Sequence, residues 1–134
     1  LGRLGREAAA AGQAPRLVEL AGGDPEHVRG EHVTAAVAEG DEPAVEVLGR
    51  FAWWVALGLA NLANIFDPEA FVLGGGVMVA GEALLTPTRE AFVGLVEGAD
   101  RRPSIPVLAA TLGERAGAIG AAYLAAEAAE AAEA

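Results

Sequence analysis

Apolar residues recur at helical spacing along the first half of this chain and gather into short runs further on. The clearest stripe follows Asp41, which can cap a helix whose first turn tolerates Pro43. Its apolar positions step by three or four residues and are Val45, Leu48, Phe51 or Ala52, Val55, Leu59, Leu62 and Phe66. Asp67-Pro68 must end it, because a proline disfavours helical geometry in the preceding residue. The pattern therefore predicts one long helix, with Asp41 as its cap and an end before Asp67.

Three shorter helices are predicted before the long one. The stretch from Leu1 to Ala11 has helical propensity, PRLVELAGG can form two turns, and EHVTAAVAEGD carries apolar residues at helical spacing before a glycine stop. Residues 24–30 read as a turn. The chain opens without an initiator methionine or a clear cap, as expected for a piece of a longer protein.

Two apolar runs in the second half predict buried parallel strands. AFVLGGGV, from Ala70 to Val77, and PVLAATLG are too short for helices, and both end in glycine. A helix is predicted between them from about Glu82 to Val96, with Pro87 expected to kink or divide it. A last helix follows, and its end, residues 127–134, is expected to fray. This order is typical of a helix-rich α/β fold.

Two strands alone do not make a stable sheet. Such a pair has an unpaired edge on each side and covers little of a long apolar helix. The sequence therefore predicts that further strands, from chain outside these residues or from a partner, complete the sheet.

Composition and charge exclude several classes of function. The 134 residues suit one domain, and a formal net charge of −10 argues against nucleic-acid or anionic-membrane binding. The chain has no lysine and no cysteine, which excludes a Walker-type phosphate loop, Schiff-base chemistry, disulfides and cysteine-ligated zinc. Ser104 lacks a nucleophile elbow. The apolar run AWWVALGLANLANIF is too short and polar for a membrane span, so we expect a cytoplasmic protein.

Several polar residues invite a catalytic role but have structural explanations. Asp67, in DPE after a helix, is expected to shape the turn. Asn61 and Asn64 lie on one helical face and are predicted to be buried polar links to a strand end or a loop. Arg101 and Arg102 form the only tight basic pair, and we expect both in a solvated loop.

The histidines, tryptophans and the start of the last helix are interpreted in the same way. His27 and His32 are five residues apart, which misses the spacing of a helical metal pair, so no metal site is predicted. Trp53 and Trp54 are expected in the core or at a subunit contact. The pair Glu114–Arg115 opens the last helix, where a carboxylate is ordinary dipole compensation.

Three glycines follow the first predicted strand in LGGGV. Glycine permits positive φ and lets the backbone approach a ligand without a Cβ clash, which suits a nucleotide. For the motif taken alone, a tight strand-to-helix turn without a ligand is the favoured explanation. A dinucleotide fingerprint fits worse, because GGGVMVAG lacks the G-x-G-x-x-G spacing.

Taken together, NLANIFDPEAFVLGGGVMVAGEALL and IPVLAATLGERAGAIGAAYLA resemble the C-terminal part of the ROK family of bacterial sugar kinases and sugar-responsive repressors. The likeness covers residues 24–126 and is greatest to glucokinase-type members. It implies part of an actin-like ATPase fold, with ribonuclease-H-like lobes around ATP and sugar. Residues Leu73, Gly74, Gly75, Gly76 and Val77 match the family's adenosine motif.

The resemblance also implies that this chain holds only part of the functional groups of a larger enzyme. Residues 1–134 would be the C-terminal portion of a nucleotide-binding lobe in a homo-oligomeric enzyme that phosphorylates glucose at its 6-hydroxyl with ATP and magnesium. The family's phosphate loops, catalytic aspartate, sugar segment and zinc motif find no match in these residues, so no catalytic residue is assigned and the chain alone is expected to be inactive. A sugar-sensing repressor domain and a non-catalytic scaffold or dimerisation fragment are the alternatives.

Overall fold

The computed structural model describes residues 1–133, without the side chains of residues 114, 132 and 133. Ala134, the last residue of the tail predicted to fray, lies outside the described residues, and that fraying stays a prediction. The elements are α1 (Gly2–Ala10), α2 (Pro15–Leu20), α3 (Gly30–Ala38), α4 (Glu42–Phe66), β1 (Phe71–Leu73), α5 (Glu82–Leu95), β2 (Val107–Ala109) and α6 (Ala116–Glu133). Short 3₁₀ turns lie at Pro25–His27, Gly76–Ala80 and Gly113–Arg115. The predicted element order is confirmed.

The ends of α4 follow from its flanking aspartates. The Asp41 carboxylate accepts a hydrogen bond from the Ala44 amide at 3.0 Å, which caps the first turn as predicted. At the other end Asp67 adopts the left-handed conformation, with φ of 45°, and its amide donates to the carbonyl of Ala63. Among the described residues Asp67 is the only non-glycine with positive φ. Helix α4 therefore ends where Asp67-Pro68 predicts.

The buried face of α4 is built mainly from small residues. Its buried residues are Ala44, Val47, Leu48, Ala52, Ala56, Leu59, Ala60 and Ala63. Helix α5 packs against the C-terminal half of this face, through Leu85 and Phe92. Alanine allows close approach of two helix backbones, so each buried methyl group lies in a tightly packed layer.

The predicted stripe on α4 is therefore partly wrong. Val45, Leu62 and Phe66 are exposed, and Trp53 and Trp54 form an edge-to-face pair in which Trp54 remains 54% exposed. Placing the tryptophans in the core was thus wrong, and the subunit contact stays a prediction. The helix is apolar around most of its circumference, so its pattern did not show which face would be covered.

The two strands form a parallel pair in which Phe71 lies opposite Val107. Val107 is buried, and the Phe71 ring meets the Phe92 ring of α5 edge-to-face at 5.9 Å between centroids. On the outer face Val72 and Leu108 are exposed, so the prediction of fully buried strands is wrong for one side of the sheet. Alternate residues are exposed because helices of the described chain cover only one face of the sheet.

Two further expectations are corrected. Helix α5 runs unbroken from Glu82 to Leu95 with Pro87 inside it, so the proline does not divide the helix. The apolar part of α4 is longer than its uninterrupted run suggested: an 18-residue window has a mean hydropathy of 1.2, enough by length and composition for a membrane span. Core helices of soluble proteins meet the same criterion, so this is weak evidence for a membrane span.

Candidate functional site

The glycine turn after β1 has three residues with different constraints. Gly75 has φ of +91°, which side chains rarely adopt. A Cβ on Gly74 would lie 3.4 Å from the Cβ of Ala110. Gly76 has neither constraint, because its φ is not positive and an added Cβ would meet no atom of the described chain within 4 Å. The positive φ explains Gly75, the added contact at Gly74 would be an ordinary van der Waals contact, and nothing in the described chain requires the glycine at position 76.

Gly76 faces a cavity of about 450 Å³, a size within the range of roughly 300–1,000 Å³ typical of ligand pockets. The cavity lies between the start of α3, the middle of α4 and the 3₁₀ turn that follows the glycines. Its lining residues are Leu1, Gly30, Glu31, Thr34, Phe51, Gly76, Val77 and Val79.

Two of the five predicted site residues, Gly76 and Val77, line this cavity. The other three do not line it: Leu73 is the last residue of β1, and Gly74 and Gly75 form the start of the turn. Their role in adenosine binding stays a prediction. Sequence reasoning missed the opposite wall, which comes from α3 and α4. No local motif marks that wall, because its residues are far from the glycines in sequence.

The chemistry of the cavity suits an uncharged, partly apolar group. Phe51, Val77 and Val79 supply apolar surface, and within the described part of the chain its lining contains no cationic side chain. The Thr34 hydroxyl donates to the carbonyl of Glu31 at 3.0 Å and keeps its acceptor lone pairs, and the Glu31 carboxylate is exposed. Hydroxyl groups of a ligand could therefore donate to this wall, while a phosphate would find no cationic side chain there.

Side-chain hydrogen bonds of Arg89 join α5 to β2 and to the first residue of α5. Arg89 donates from Nε to the carbonyl of Val107 at 2.9 Å and from Nη1 to the Glu82 carboxylate at 2.8 Å. The hydroxyl of Thr86 also donates to Glu82, at 2.9 Å. These bonds, with Thr86 the larger cause and Arg89 the next, hold the pKa of Glu82 below its ordinary value.

A lowered carboxyl pKa in the folded state predicts acid-sensitive stability. The contribution of Glu82 is present above its ordinary, unfolded pKa and is lost as the pH falls through the lower folded pKa. We expect Glu82→Gln to melt at a slightly lower temperature than the parent chain at neutral pH and at the same temperature in acid. The difference should be small, because Glu82 is exposed.

Thermal melts across the acid range measure this effect. Glu90→Gln is the matched control, because it removes an exposed carboxylate from the same helix. If the two variants show the same pH dependence, the bonds to Glu82 make no detectable contribution to stability.

The remaining polar candidates are only partly as predicted. Both Asn61 and Asn64 are exposed, so their predicted burial is wrong, although the Asn64 side chain does accept from the Glu97 amide at 3.3 Å, as a link to a loop. Asp67 shapes the turn as predicted. Arg102 is not in a solvated position: its side chain is 20% exposed and pairs with Asp67, whereas that of Arg101 is 87% exposed.

None of the other candidate residues that the structure describes is in the lining of the cavity, although His32 is next to Glu31, which lines it. His32 accepts from the Arg29 amide through Nδ1 at 3.1 Å, at the start of α3, and His27 is exposed on the preceding 3₁₀ turn. Arg115 is exposed in the last 3₁₀ turn, and the side chain of Glu114 is outside the described structure.

A strand that ends in a glycine turn beside a cavity, within an α/β layer, is an arrangement that can hold a ligand. The chain belongs to the ROK family, whose family model matches residues 5–128. Its helices and parallel strands are part of the actin-like ATPase fold of that family. The resemblance inferred from the motifs is thereby confirmed.

Particular relatives are glucokinases. The chain is 40% identical to the glucokinase of Streptomyces coelicolor over 115 residues, which are 86% of this chain and 36% of the relative. It is 37% identical to the glucokinase of Halalkalibacterium halodurans over 97 residues, 69% of this chain and 28% of that one. A crystal structure of a ROK family glucokinase from Streptomyces griseus, in complex with glucose and AMPPNP, matches with a TM-score of 0.79 and 41% identity, covering 92% of this chain and 39% of that chain. The chain thus matches between 28% and 39% of the length of these proteins.

Proposed function

We propose that this chain supplies the adenosine-binding part of an ATP-dependent sugar kinase that phosphorylates glucose at its 6-hydroxyl. The observation that carries the proposal is Gly76, which is bare without an internal cause and opens onto a cavity. Family membership and 41% identity to a glucokinase bound to glucose and an ATP analogue support it. A sugar sensor that does not bind ATP would have no physical need to keep Gly76 bare, which favours the kinase over the repressor.

The cavity would receive the nucleoside and not the phosphates. The adenine ring would lie along the backbone of Gly76 and the apolar surface of Val77 and Phe51, and the ribose hydroxyls would donate to Glu31 or Thr34. A side chain on Gly76 would occupy the same space, so the missing Cβ permits the close approach.

Phosphoryl transfer needs groups that this cavity does not offer. A carboxylate must accept the proton of the attacking hydroxyl, and magnesium must be held against the phosphates. In our proposal these groups belong to the other segments of a longer, cytoplasmic, homo-oligomeric kinase. The 134-residue chain would then bind nucleotide without transferring a phosphoryl group.

A calorimetric titration of the 134-residue chain with ATP and magnesium, with and without glucose, tests this proposal when ADP release is followed in the same samples. We expect weak binding, with a Kd of about 1 mM, corresponding to roughly −4 kcal/mol, and no ADP. Free adenosine should compete with ATP, because the nucleoside is the part recognised.

Two results would count against the proposal. Glucose-dependent ADP release by this chain would show that the chemistry resides within it. Binding that adenosine does not displace would place the recognition on the phosphates and away from the Gly76 cavity.

A further inference from the structure

The turn before β1 contains an unusual choice of residue. Asp67 ends α4 in the left-handed conformation, where glycine is the least strained residue and a side chain costs backbone energy. Helix termination alone does not require a carboxylate at this position. The Asp67 carboxylate accepts a hydrogen bond from Nη2 of Arg102, which belongs to the connection between α5 and β2.

This pair lies just outside the parallel ladder. Asp67 precedes β1 and Arg102 precedes β2, so the pair joins the two connections where they enter the sheet side by side. A second link, from the Glu97 amide to the Asn64 side chain, joins the last turn of α4 to the connection between α5 and β2. The Arg102 side chain is 20% exposed while that of its neighbour Arg101 is 87% exposed, so the two adjacent arginines differ sharply in environment.

Within the described residues, the sheet has little with which to fix its own register. Each of its two strands has three residues, and a two-stranded sheet is marginal in water. A slip of one residue would turn every side chain to the other face and displace the glycine turn that follows β1 directly. A contact that joins both incoming connections restricts such a slip before the ladder begins.

We propose that Asp67 and Arg102 are a positioning pair that holds β1 and β2 in register and thereby places the Gly74–Gly76 turn. Neither residue lines the Gly76 cavity. It acts through β1, whose last residue, Leu73, accepts a hydrogen bond from the Ala110 amide at 2.8 Å.

Residue-resolved amide hydrogen exchange of the full 134-residue chain tests the pair. The reporters are the Ala110 amide and the Phe71 amide, which donates to the carbonyl of Pro106 at 2.9 Å. Asp67→Gly discriminates most sharply, because it relieves the backbone strain but removes the carboxylate. If the pair holds the register, Asp67→Gly and Arg102→Gln should each accelerate exchange at both reporters by about two- to fivefold, because the Asp67 side chain is 86% exposed and water screens its pairing with Arg102.

Matched variants complete the design. Arg101→Gln removes the adjacent, exposed charge and should leave exchange unchanged, and the double variant of Asp67 and Arg102 should exchange no faster than either single variant. If Asp67→Gly fails to fold, Asp67→Asn tolerates the left-handed conformation and removes the charge while keeping an acceptor oxygen, so it should accelerate exchange less than Arg102→Gln. Slower or unchanged exchange in the Asp67 variants would overturn the inference, as would equal acceleration by Arg101→Gln.

A second readout links the pair to the turn and rests on the proposed function. Titration of the same variants with ATP and magnesium should show weaker binding for the Asp67 and Arg102 variants and parent-like binding for Arg101→Gln. If the parent chain itself binds no nucleotide, the proposed function fails, and the exchange rates still decide the role of the pair.

Discussion

Replacing Gly76 by leucine is expected to abolish nucleotide binding while leaving the fold intact. The new side chain meets no described atom near its Cβ and has an ordinary backbone conformation, so the free energy of unfolding should change by no more than about 0.5 kcal/mol. It would fill the cavity where we place the adenine ring. Because the parent chain is itself expected to bind with a Kd of only about 1 mM, the ATP titration of the variant should show no detectable heat of binding.

Gly94→Leu is the control for this variant. Gly94 is also exposed, and a Cβ added there would meet no described atom within 4 Å. It lies on α5 and does not line the cavity. It should bind nucleotide like the parent chain. If Gly76→Leu binds equally well, adenosine does not lie against the turn, and the bare glycine needs another explanation.

A Gly5→Ala substitution is expected to destabilise the chain even though alanine favours helices. A Cβ on Gly5 would lie 2.8 Å from Cγ2 of Val33 and 3.0 Å from Cγ1 of Val28, and both valines are fully buried. Stiff, β-branched neighbours without free space cannot move aside cheaply. Overpacking of this kind costs about 1–3 kcal/mol.

Gly58→Ala isolates that cost. Gly58 is exposed in the interior of α4, and a Cβ added there would meet no described atom within 4 Å. Alanine at this position should therefore stabilise the chain by about 0.5–1 kcal/mol. Both substitutions share the gain in helix propensity, and the difference between their unfolding free energies therefore measures the clash at Gly5. Equal stabilisation by both would show that α1 does not pack against α3 as closely as described.

Local patterns predicted most of the fold. The Asp41 cap, the end of α4 at Asp67-Pro68 and the two strands that precede glycines each depend on a few neighbouring residues, and each is confirmed. The covered face of α4 was harder to predict. Alanines make up most of that face while Trp54 and Phe66 stay exposed, because the choice of face depends on which elements pack there and not on hydrophobicity alone.

The residues of the candidate site also differ in how far the sequence could predict them. Gly76 and Val77 belong to a motif that can be recognised in sequence, whereas Glu31, Thr34 and Phe51 reach the cavity only because α3 and α4 fold against the turn. The Asp67–Arg102 pair was also missed. Two connections far apart in sequence meet there because parallel strands bring their incoming chains to one edge.

The alanine-built face of α4 has a consequence for how this protein tolerates mutation. In a core of leucine and phenylalanine, truncation is the common damage, because it leaves cavities. Here Ala52, Ala56 and Ala63 have almost no side chain to lose and no room to grow. We expect a saturation library at these positions to accept glycine or serine more readily than valine or leucine. Sequence change along this face of α4 would then be limited by the largest side chain that fits, and not by the loss of buried volume.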